Sequence, residues 1–237
     1  MSEDELLPGG ALTNRPLHFI WLADCSGSMA GEKINQLNFA IRDAIPEMKR
    51  VADDNPNAQV LIRAISFESN AKWHIANPTP LDQFQWIDLQ VGGLTSMGAA
   101  LKLVSKELTS DKMGSRALPP VLVLISDGEP TDDFQKALDE MMQSPWAKKA
   151  VRISIAIGDQ ANLDVLQKFI GHSELKPLVA QTAAQLAQYI RWVSTTVLQS
   201  ASSPATQTKN NATPQTNVPL NSPPPQLDPN INPLDVF

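Results

Sequence analysis

The chain predicts an α/β domain: a doubly wound, mostly parallel sheet with one antiparallel edge strand and helices on both faces. Three observations predict it. Apolar strand-like runs alternate with helix-period runs from about residue 15 to residue 200. The run Val121-Leu122-Val123-Leu124-Ile125 is continuously apolar, as expected of a strand buried on both faces of a parallel sheet. Finally, apolar runs end in short oxygen-bearing side chains, where open α/β sheets place their ligand sites.

The elements follow in order. A first strand spans about 17–23. Ile34, Leu37, Ala40, Ile41, Ala44, Met48 and Val51 recur at helical spacing, predicting a helix over 32–53 with a kink or local break at Pro46. Residues 60–67 and 72–76 read as a hairpin around Glu68-Ser69-Asn70, its alternating second arm suiting a sheet edge. Later strands are expected at 121–126, 151–157 and 177–180. Helices are expected at 97–109, 132–143, 163–170 and 183–199, the last opened by a capping box at Thr182-Ala183-Ala184-Gln185.

Asp24, Ser26 and Ser28 follow the first strand at alternate positions. Asp-x-Ser-x-Ser alone arises by chance in roughly one chain in ten to twenty of this length, so by itself it is no more than a turn satisfying backbone groups. Two further segments raise its value. Gly92-Gly93-Leu94-Thr95-Ser96-Met97-Gly98 places Thr95 just before a helix, and Asp127-Gly128 closes the apolar 121–126 run. Together Asp24, Ser26, Ser28, Thr95 and Asp127 make an all-oxygen set, which suits a hard divalent cation.

These motifs resemble the von Willebrand factor A family, whose metal-ion-dependent adhesion site combines Asp-x-Ser-x-Ser, a distant Thr and a distant Asp before Gly. The resemblance covers about residues 15–200, all five positions matching in order. It implies a metal site at Asp24, Ser26, Ser28, Thr95 and Asp127 holding Mg²⁺, with Mn²⁺ or Ca²⁺ as alternatives. It also implies a protein partner whose Asp or Glu completes the coordination sphere. Asp24-Cys25-Ser26-Gly27-Ser28-Met29 followed by Gly31-Glu32-Lys33-Ile34-Asn35-Gln36-Leu37-Asn38 is most similar to the bacterial TerY-like (YegL-like) branch. That branch implies a tellurite-resistance or chemical-stress assembly, with a Ser/Thr kinase or a metal-dependent phosphatase as further partners. Glu129, Asp132 and Asp133 are expected as rim acids and helix N-terminal charges.

Composition narrows the remaining classes. Net charge is −6 and the pI about 5.0, with Lys and Arg scattered, so nucleic acid is not expected as a partner. A single cysteine, no signal-peptide pattern and no apolar run near 18 residues predict a cytoplasmic protein without membrane attachment. A domain of about 200 residues buries roughly 70% of its unfolded surface and needs no disulfide to fold.

Catalysis is not expected. Asp24 stands where haloacid-dehalogenase-type phosphatases carry their nucleophile, but Ser26 replaces their second Asp. Cys25-Ser26-Gly27-Ser28-Met29 is not a Gly-x-Ser-x-Gly elbow. His18 and His74 lie in strand-like runs and read as structural, His172 as a solvated turn residue, and Cys25 as a small buried side chain. The alternative role is a regulatory partner or substrate of a kinase–phosphatase pair, acting through the tail, and a weaker alternative is a metal-dependent enzyme.

Residues 1–14 read as a flexible N-terminus and 201–237 as a disordered Pro/Asn/Thr-rich tail. The tail has eight prolines, no glycine and one aromatic, Phe237. Its last eleven residues, 227–237, regain apolar side chains and two acids, which suggests a short docking motif.

Overall fold

The computed structural model describes residues 14–202 together with Pro224, Pro225 and Phe237. Six strands form one sheet: β1 (Arg15–Asp24), β2 (Ala58–Phe67), β3 (Ala71–Pro80), β4 (Val121–Ser126), β5 (Val151–Ile157) and β6 (Leu178–Ala180). Their order is β3-β2-β1-β4-β5-β6, every neighbouring pair parallel except β2–β3. The antiparallel edge strand is therefore β3, as the hairpin predicts, and it runs on to Pro80. Eight helices are described: α1 (Glu32–Asp53), α2 (Met97–Ser105), α3 (Ser110–Met113), α4 (Phe134–Met141), α5 (Pro145–Lys149), α6 (Leu163–Ile170), α7 (Ala183–Trp192) and α8 (Leu198–Ser202).

Alternation along β1 divides the interior into two cores. Leu17, Phe19, Trp21 and Ala23 face α1, α7 and α8, where Leu37, Ile41, Met48, Leu186, Ile190 and Val197 pack. Ile20 and Leu22 face α2, α4 and α6, against Leu101, Val104, Phe134, Met141 and Phe169. Successive side chains of a strand point to opposite faces, so a strand apolar at every position needs helices on both sides.

Some boundaries differ from expectation. α1 runs unbroken through Pro46. Pro46 lies on the exposed face, where water can take the Arg42 carbonyl it leaves unpaired, while Ile41, Ala44 and Met48 anchor the opposite face. α2 stops at Ser105, and a separate short helix, α3, begins at Ser110. Beyond α7 the helix widens into a π-turn at Val193–Val197 and continues through Ser202, past the expected helix end at 199, because Val197, Leu198 and Ala201 are buried in the first core. Thr182 caps α7 by accepting from the Gln185 N–H, and Gln185 Oε1 accepts in return from the Gln181 N–H, one residue before the predicted position. The docking motif expected at 227–237 lies outside the described residues except for Phe237, whose N–H donates to the Gln181 carbonyl and whose ring packs on the first core.

Candidate metal centre

β1 and β4 are adjacent and parallel, so Asp24 and Asp127 emerge side by side at their carboxyl ends. Both are essentially buried. Asp24 Oδ1 accepts from the Ser26 N–H at 2.8 Å and Oδ2 from the Ser126 hydroxyl at 2.5 Å. Asp127 Oδ1 accepts from the Ser28 hydroxyl at 2.7 Å, and Ser28 and Ser26 share a hydrogen bond at 3.0 Å. Burial pushes the Asp24 carboxyl above the usual range; its hydrogen bonds from Ser126 and Ser26 oppose this, and the nearby Asp127 adds to it.

Thr95 is brought in by backbone bonds between loops. Gly27 N–H donates to the Gly93 carbonyl, and Gly92 N–H to the Cys25 carbonyl, which fastens the glycine-rich segment onto the β1 turn. Thr95 N–H donates to Thr131 Oγ1 while Thr131 N–H donates to the Thr95 carbonyl. A Cβ at Gly128 would lie 3.8 Å from Thr95 Oγ1 and 3.9 Å from Ser28 Oγ, so the two hydroxyls flank one point above the Asp127-Gly128 turn. Gly93 adopts φ +68, and a Cβ there would come within 2.9 Å of the Ser69 backbone nitrogen; only glycine allows this approach.

All five predicted positions thus converge, and their chemistry fits a hard cation: two carboxylates and three hydroxyls, without nitrogen or sulfur. Among the described residues no group of three or more His, Cys, Asp and Glu side chains could hold a metal, so the hydroxyls are indispensable to this set. Asp132 receives the Gly98 and Ala99 N–H groups at 2.8 Å each, capping α2 instead of its own helix, and Asp133 caps α4. Glu129 holds Asn162 at the rim.

The Cys25 thiol is buried and pushed up to about 12, first by desolvation and then by Asp24 and Glu68, so it remains protonated and unreactive. Three supporting residues escaped the motif. Ser126 directly precedes Asp127 and orients Asp24. Thr131 pins Thr95. Lys33 Nζ donates to Asp127 Oδ2 at 2.6 Å from the first turn of α1. Ser126 and Lys33 had a local signal, a polar end to an apolar strand and a lysine within reach of the Asp24 turn; Thr131 had none.

A family model for the von Willebrand factor type A domain matches residues 20–191. The chain belongs to this family. Domains of the family are generally metal-dependent protein–protein interaction modules, typically not enzymes. Solved structures share the fold at low identity. The ArnB paralog VWA2 from Sulfolobus acidocaldarius superposes with a TM-score of 0.55 at 21% identity, over 76% of this chain and 45% of that one. Proximal thread matrix protein 1 from the mussel byssus, in a form with a zinc-occupied MIDAS motif, gives 0.59 at 13% identity over 80% and 48%. A curated relative, the collagen alpha-4(VI) chain of Mus musculus, is 24% identical over 135 residues, 53% of this chain and 6% of the collagen. The chain therefore spans less than half of each of these proteins. No helix among the described residues is long and apolar enough to cross a membrane.

Proposed function

We propose that this VWA domain binds a divalent cation, Mg²⁺ foremost, through Asp24, Ser26, Ser28, Thr95 and Asp127, and that an Asp or Glu of a protein partner completes the coordination. The observation that carries this reading is the convergence of five oxygen side chains from three loops, with hydroxyls placed between two buried carboxylates. When bound, the cation supplies a point of positive charge with room for an acidic ligand. Ser26 and Ser28 present neutral oxygens, and Ser126 fixes the Asp24 carboxylate for its task. Leu94, next to Thr95 and 60% exposed, offers the partner an apolar contact beside the metal. Calorimetric titration with Mg²⁺ tests the site: Asp24→Asn and Asp127→Asn should each abolish the binding seen in the unaltered protein, and unchanged affinity in both would refute the assignment.

The narrower setting, a tellurite-resistance-like cytoplasmic stress assembly with a kinase or a phosphatase as neighbours, is supported by the Asp24–Met29 and Gly31–Asn38 wording alone. A pull-down run with Mg²⁺ and with EDTA tests it: metal-dependent capture of such an enzyme supports the setting, and capture insensitive to EDTA and to Thr95→Ala speaks against the site as the contact.

A further inference from the structure

The site holds its own cation. Lys33 Nζ sits 2.6 Å from Asp127 Oδ2, the oxygen opposite the one that receives Ser28, and the lysine is only 19% exposed. Gly158, at φ +74 in the turn after β5, lies beneath it: a Cβ there would stand 3.7 Å from Lys33 Cε and 3.8 Å from Nζ. The aliphatic stem is thus packed along the turn while the ammonium reaches inward. Such a pair is no surface ion pair, because the Asp127 side chain has no exposure and the ammonium meets it at hydrogen-bond distance.

We propose that Lys33 is a built-in counter-charge that shares Asp127 with the bound cation, lowering the affinity for metal and leaving the loaded site positive. The inference rests on the metal-binding reading above and concerns its charge balance. Asp24 and Asp127 contribute two negative charges and Lys33 one positive, so the side chains together carry −1. A dication brings the site to +1, a charge that one carboxylate of a partner neutralises. Without Lys33 the same dication would be cancelled by the two acids, and the incoming carboxylate would meet a neutral site. Lys33 therefore trades metal affinity for selectivity towards an acidic ligand.

The test uses the full chain stripped of metal, titrated with Mg²⁺ by calorimetry and melted separately in EDTA. Lys33→Met should melt at a lower temperature in EDTA, because buried Asp127 loses its partner, yet bind Mg²⁺ about tenfold tighter, as expected for a removed like charge. Lys33→Arg keeps the charge and should stay within about twofold of the unaltered protein. Should Lys33→Met fail to fold, Lys33→Gln, which retains a donor for Asp127 without the charge, reads the same sign. A purely organising lysine predicts the reverse: Mg²⁺ affinity equal or weaker in the neutral variants overturns the inference while leaving the metal site standing. An unaltered chain that takes up no Mg²⁺ overturns both.

Discussion

Buried polar groups cluster near both ends of β1, and the two clusters are built in opposite ways. At the carboxyl end the buried charges are acids, Asp24 and Asp127; their hydroxyl neighbours face a shared point, and the one lysine reaches in from the side. Towards the amino end the buried charge is a cation. Arg63 pairs with Glu107 at 2.9 Å, its guanidinium lies 4.7 Å from the Trp73 ring centre, and His18 Nε2 donates to the Met113 carbonyl at 3.3 Å. There the acid is the more exposed partner, bridged in turn to Lys112. Both clusters bury charge, but only the carboxyl end gathers neutral oxygens between its acids. That arrangement suits an added cation; the amino-end cluster joins β1, β2 and the α2–β4 connection into one body. Burial of charge alone does not mark a functional site.

The comparison breaks most visibly if the two ends are coupled. Arg63→Met should cost about 2 kcal/mol of stability, since it removes a buried guanidinium from Trp73 and leaves Glu107 with Lys112 alone. Mg²⁺ affinity should stay within about twofold. Denaturant melts paired with calorimetry check both, and a parallel loss of metal binding would show that the ends are not separate.

Acid acts on the same cluster through His18. Burial first, and the Arg63 charge next, lower its pKa from 6.5 to about 4. The folded protein therefore keeps this ring neutral while the unfolded chain protonates it near 6.5, so stability is full above that value and falls as pH drops towards 4. The loss attributable to His18 between pH 7.5 and pH 5 is about 2 kcal/mol. His18→Gln should flatten that part of the pH profile in urea melts; an unchanged slope would assign it elsewhere.

At the carboxyl end, Ser126→Ala removes the hydroxyl that donates to Asp24 Oδ2. The expected outcome is a stability loss of about 1 kcal/mol and a roughly tenfold weaker Mg²⁺ affinity, because a supporting hydrogen bond is lost and not a ligand. A loss as complete as that of Asp24→Asn would instead make Ser126 part of the coordinating set.

What the sequence made legible follows the same division. β4, β5 and α6 match their expected limits because each boundary is local: Ser126-Asp127-Gly128 ends an apolar run, Asn162 caps α6 by accepting from the Val165 N–H, and Gly171 closes it at φ +67. The meeting of Asp24, Ser26, Ser28, Thr95 and Asp127 was legible because Asp-x-Ser-x-Ser is local and strand ends converge in a parallel sheet. α3 and α5 escaped because four or five residues hold barely one turn of periodicity. Thr131 and the Arg63–Glu107 pair depend on contacts between distant segments, which spacing along the chain does not record.

The smallest effect belongs to Phe237, which touches neither polar cluster. Its N–H donates to the Gln181 carbonyl at 3.0 Å, just past the end of β6, and its half-buried ring meets the first core. The hydrogen bond and half an aromatic side chain contribute about 1 kcal/mol each. Phe237→Ala keeps the hydrogen bond and loses only the ring contact, so it should cost at most about 1 kcal/mol of folding stability and leave Mg²⁺ affinity untouched. Thermal melts of Phe237→Ala beside a chain ending at residue 226 decide the matter. A loss above about 1 kcal/mol in the truncated chain alone would mean that residues 227–236 add contacts of their own. The same loss in both would place the holding energy in the ring, and the carboxyl end of β6 would then be a binding seat in its own right.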